Sequence, residues 1–117
     1  DTEFIGPMNG AMEQIVATHL RSWVACDADG YIQTVGGFIY ERLGGQTSTS
    51  AMREGLEVRY PGNPVASVRV SRIDAMGDKR GEAVYEATHR DGTAVSRVLH
   101  LELLSQGWRV VRVSKLR

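Results

Sequence analysis

From Ala66 onward the hydrophobicity of this chain alternates with a period of two, and tight-turn residues interrupt the alternation three times. Val68, Val70 and Arg72 alternate with Ser67, Arg69, Ser71 and Ile73 before Gly77-Asp78-Lys79-Arg80-Gly81 makes a first turn. Glu82 to Arg90 reads as the next strand, Asp91-Gly92 as a two-residue hairpin loop, and Thr93 to Leu104 as the return. Ser105-Gln106-Gly107 turns again before the valine-rich run from Trp108 to Leu116. Strands joined by connections this short pair antiparallel with their sequence neighbours, so the segment is expected to be a four-stranded meander.

A sheet of this kind needs a cover, and the residues before it have a helical period. Met12, Ile15, Val16, Leu20, Trp23 and Val24 recur at three- and four-residue steps and form one apolar stripe, with Asn9 placed to cap it. Cys26 to Gly30 breaks that pattern, and Asp27 or Asp29 is suited to cap a short second helix through Tyr31, Ile32 and Val35. Gly36-Gly37 ends it, Phe38 to Leu43 reads as a short strand, and Gly44-Gly45 stops that strand. Thr47 to Ser50 then lead into a third helix from Ala51, and Pro61-Gly62-Asn63-Pro64 is a turn before the meander. The expected fold class is therefore α+β: N-terminal helices packed on a curled, four- to five-stranded antiparallel sheet.

Composition narrows the function classes. At 117 residues and 42% apolar, the chain is sized and composed for one core, read here as residues 9–117 behind a tag-like or disordered leader at 1–8. Fourteen basic residues balance fourteen acidic ones, so no net field draws the chain to nucleic acid. Cys26 is the only cysteine, which excludes an intrachain disulfide and thiolate-rich zinc sites. No apolar run approaches the roughly 20 residues that span a bilayer. The compartment reading favours the cytoplasm, with an exported fragment of a larger protein as its alternative.

Strand geometry then sorts the residues able to carry chemistry. With Asp91-Gly92 as the whole loop, Glu86 faces Arg97 and Val84 faces Leu99. Val84, Leu99, Leu101 and Leu103 then share one face, while Tyr85, His89, Val98, His100 and Glu102 share the other. Two partly apolar faces suit a sheet covered by helices on one side and by a second copy on the other. A homodimer through the sheet is expected on this ground, by residues such as Val111 and Val113 or Val84 and Leu99. His100 beside Tyr85 and Glu102 is a candidate acid–base cluster, weighed against a hydrogen-bonded structural histidine. Asp27 is a further catalytic candidate beside its capping role. Trp23 joins Tyr85, His100 and Glu102 as a candidate ligand-binding residue, since its ring can stack a planar molecule. Glu86 opposite Arg97 reads as a cross-strand ion pair worth roughly 0.2–1 kcal/mol, or as a substrate clamp. The three histidines have no metal-ligand spacing, and neither metal nor cofactor is expected.

The order of these pieces resembles the nuclear-transport-factor-2-like superfamily, including its polyketide-cyclase-like (SnoaL-like) branch. The resemblance runs over Leu20 to Ala25 before Asp27, then Phe38 to Leu43, Gly45 to Glu54, the hairpin from Arg80 to Thr93, and Gly107-Trp108-Arg109-Val110. It implies a cone-shaped, cystatin-like roll. It also implies, for some enzymes of the superfamily, a catalytic aspartate between the first strand and the third helix, with no counterpart in Phe38 to Gln46. The expected function is accordingly a non-catalytic binding domain for a protein partner, its own copy or a small apolar ligand. The alternatives are a cofactor-independent lyase or isomerase using His100 with Tyr85 and Asp27, and an assembly domain similar to those of type IV secretion systems.

Overall fold

The structure, a computed structural model, describes residues 2–4, 10–36 and 65–116. The expected strand at Phe38 to Leu43, the third helix and the Pro61–Pro64 turn lie outside the described residues. Two helices come first, α1 (Ala11–Ala25) and α2 (Ala28–Gln33), after a short strand β1 (Thr2–Phe4). The meander follows as β2 (Val65–Ala75), β3 (Arg80–His89), β4 (Ala94–Leu104) and β5 (Gly107–Lys115), each pairing antiparallel with the next. β1, drawn from the segment set aside as a leader, adds a fifth strand parallel to β2, with Phe4 packed against the core.

α1 forms where the apolar stripe requires it. Its N-cap is Gly10, whose carbonyl accepts from Gln14 N–H, and the expected cap Asn9 lies outside the described residues. At its C-terminus Cys26 adopts a left-handed φ of 58°, Cys26 N–H donates to Trp23 O, and Asp27 N–H donates to Ser22 O. This is the Schellman pattern, which satisfies carbonyls the helix leaves unpaired. Asp27 then caps α2, its Oδ1 accepting from Gly30 N–H at 3.2 Å. Met12, Val16 and Leu20 of α1 bury against Val68, Val70, Ala83, Leu99, Leu101 and Val110. α1 packs on both β2 and β5, which are separated by two strands in the sheet order, so the sheet curls around it.

Local irregularities decide which side chains face the helices. The β3–β4 loop holds three residues rather than two: His89 N–H donates to Thr93 O, Gly92 N–H donates to His89 O, and Gly92 has φ +91°. Such a turn ends in a glycine bulge and moves the register by one residue. Ala83 therefore faces Leu99, Glu82 faces His100, Tyr85 faces Arg97, and Glu86 faces Ser96. Because side chains alternate, this one-residue difference reverses β4 relative to β3. Val84 and Leu99, expected together, lie on opposite faces, and Glu86 does not face Arg97. Register shifts at Val70/Arg72 and at His100/Leu101 likewise bring Ile73 and Val110 to the helix side and turn Arg72 and Arg112 away.

Candidate functional site

The curled sheet has a concave side, against the helices, and an outer side. On the concave side Trp23 of α1 meets Tyr85 of β3 edge to face, ring centroids 6.0 Å apart. Tyr85 is buried, and its cross-strand neighbour on the same side is Arg97 of β4, which in turn faces Lys115 of β5. His89, two residues beyond Ala87 on β3, lies on the same side, and its Nδ1 is buried without a hydrogen-bond partner among the described residues.

Deeper between α1 and α2, His19 stacks on Tyr31 with centroids 4.4 Å apart. Its Nδ1 lies 2.8 Å from Thr34 Oγ1, and Thr34 donates its only hydroxyl proton to Tyr31 O at 2.7 Å. Thr34 Oγ1 must therefore accept, so His19 carries its proton on Nδ1. Burial lowers the His19 pKa to about 3, and the ring is neutral at ordinary pH. In the sequence His19 lies next to the apolar stripe of α1. Its spacing of three from Val16 and four from Trp23 was the available sign that it turns inward.

The outer side carries the polar network. Glu82, His100 and Arg112 lie in line across β3, β4 and β5. His100 Nε2 is 2.7 Å from Ser114 Oγ, and its Nδ1 is 3.3 Å from both Arg112 Nη2 and Glu82 Oε2. Nδ1 thus faces one donor and one acceptor: neutral it accepts from Arg112, and protonated it donates to Glu82. An open groove of ≈ 760 Å³ runs beside this network, with Glu82, His100, Glu102, Arg112 and Met76 among its lining residues.

Of the candidates named from sequence, the fold brings Trp23 and Tyr85 together on the concave side and His100 and Glu102 together on the outer side. It does not bring His100 to Tyr85. Asp27 stands at the start of α2 as its cap, with its carboxylate exposed. Among the described residues, no three His, Cys, Asp or Glu side chains gather as they would around a metal ion, and no helix is long and apolar enough to cross a membrane.

No protein-family model matches the chain, and no curated protein matches it in sequence. Solved structures do match in shape. A Mycobacterium tuberculosis protein superposes with a TM-score of 0.73 at 11% identity, over 92% of this chain and 94% of that one. A ketosteroid isomerase-like protein from Erwinia carotovora gives 0.67 at 13% identity, over 92% and 95%. A protein of unknown function from Shewanella baltica, described as nuclear-transport-factor-2-like, gives 0.63 at 12% identity, over 88% and 87%. The fold is nuclear-transport-factor-2-like. At these identities the likeness is one of architecture, so function has to be argued from the residues of this chain. Within this nuclear-transport-factor-2-like cone the two groups of candidates are separated by the thickness of the sheet itself.

Proposed function

We propose that this chain is a binding domain that holds a small, largely apolar molecule on the concave side of its sheet, without catalysis there. The observation that carries the reading is the β3–β4 register, which sets Tyr85 with Trp23 on one side and His100 with Glu102 on the other. A general acid–base site needs its groups within hydrogen-bond reach of one reacting atom, and these do not converge. Both nitrogens of His100 are engaged by neighbours, which is how a histidine that ties strands together is held. Two aromatic rings meeting edge to face, by contrast, offer apolar area with little conformational freedom to lose on binding.

The test is an NMR screen of small aromatic and alicyclic compounds against the labelled chain. Binding ligands are expected to shift the Trp23 indole N–H and the amides around Tyr85. Shifts that gather instead on Glu82, His100 and Arg112 would overturn the concave-side assignment.

A second reading is favoured by the outer groove. A cofactor-independent lyase or isomerase could work from there, with His100 as acid–base group and Glu82 orienting it. It requires a compound that the wild-type chain converts and that His100→Ala, still folded, does not.

A further inference from the structure

Charge is segregated between the two sides of the sheet. Among the described residues every carboxylate carried by a strand, namely Glu3, Asp74, Glu82, Glu86 and Glu102, shares a cross-strand row with outer-side residues. The concave positions of β2–β5 are apolar except for His89, Arg97 and Lys115. Arg97 is half-buried and donates from Nη1 to the Ser96 carbonyl at 2.9 Å. Among the described residues the ion pairs are Arg72 with Asp74 and His100 with Glu82, both on the outer side, and neither Arg97 nor Lys115 enters one.

Arg97 and Lys115 are direct cross-strand partners. Like charges in that position repel, and among the described residues no carboxylate on the concave side of the sheet compensates them. An anion placed between them would remove the repulsion, and a guanidinium matches a carboxylate with two parallel hydrogen bonds. On its other flank Arg97 faces Tyr85, which leads directly to Trp23. Cross-strand neighbours stand about 5 Å apart at Cβ, so the anionic group and the ring of a ligand spanning both must be close together.

We propose that the concave side takes a small aromatic monocarboxylate, its carboxylate joined to the ring directly or through one or two carbons. Arg97 is the anchor, Lys115 the supporting charge, and Tyr85 and Trp23 the apolar wall. This rests on the concave-side binding reading and adds to it the chemical class of the ligand.

Isothermal titration with 2-naphthoate and with the neutral, nearly isosteric 2-naphthamide tests it. The carboxylate is expected to bind at least tenfold tighter than the amide, and its affinity to weaken with added NaCl while that of the amide does not. Arg97→Gln should abolish the discrimination, Lys115→Gln, at an exposed position, should reduce it, and the outer-side Arg112→Gln should leave it intact. Equal binding of the two compounds to the wild-type chain overturns the proposal and leaves the binding reading standing. So does a preference that survives both Gln variants. If neither compound binds, and no other small aromatic molecule does, the binding reading fails with it.

Discussion

The single proton of the His19 ring sits on Nδ1 because Thr34 has already given its own to Tyr31 O. Burial keeps that ring neutral in the fold, with a pKa lowered to about 3, whereas in the unfolded chain it titrates near the ordinary value of 6.5. Between those values the unfolded state binds more protons, so stability falls as pH falls. The contribution is complete above about pH 6.5 and is lost progressively toward pH 3, at no more than about 1.4 kcal/mol per pH unit for one proton. His19→Asn keeps a donor near the Nδ1 position and cannot titrate. Urea unfolding at several pH values from 7.5 to 4 is expected to show a shallower loss of stability in the variant. Equal slopes in the two proteins would place the acid sensitivity elsewhere. A separate contribution arises at Asp91, whose carboxyl is held below its usual value by the Thr93 N–H it accepts; it is present above the ordinary carboxylate value and is lost as pH falls below it.

At the scale of elements, most boundaries were legible because each carries its own chemistry: the three- and four-residue stripe of α1, Asp27 at the cap of α2, and the glycines of the turns. The faces of the strands were not legible, and the reason is small and physical. Asp91-Gly92 marks both a two-residue loop and the end of a three-residue one with glycine in the bulge, and the two differ by a single residue. With a side-chain period of two, that residue decides whether Arg97 meets Glu86 outside or Tyr85 inside. The shifts near Ser71 and Val111 add one residue each to patterns that still read as alternating. Double-mutant cycles check the register. Glu82 and His100, in contact, should couple by about 0.5–1 kcal/mol. Glu86 and Arg97, which belong to opposite faces, should couple by less than about 0.3 kcal/mol. Coupling of Glu86 to Arg97 with none between Glu82 and His100 would restore the two-residue loop.

For the molecule as a whole, the sheet acts as a partition. The order of helical and two-residue periods was enough to anticipate the architecture, because short turns and one curled core leave few alternatives. The site was harder to read, since it depends on which side of the partition each residue occupies. The homodimer expected from the sequence drew on apolar residues on both faces, but Leu99 and Val113 belong to the core or pack against it. Among the described residues the apolar part of the central outer face comes down to Val84 and Val98, both already buried within the chain, and the half-buried Val111 beside the outer groove. A partition also makes changes on its two sides independent. His100→Ala removes the contacts to Ser114, Arg112 and Glu82, and should lower stability by roughly 1–3 kcal/mol, the usual range for breaking a half-buried polar network. It should leave the affinity for a concave-side ligand such as 2-naphthoate unchanged within about twofold, because the two groups of side chains lie on opposite faces of the sheet. Trp23→Ala should do the reverse for affinity, and the stability losses of the two variants should add within about 0.5 kcal/mol. A tenfold loss of ligand affinity in His100→Ala, at a temperature where the variant remains folded, would move the ligand to the outer groove and make the acid–base reading of His100 the better one.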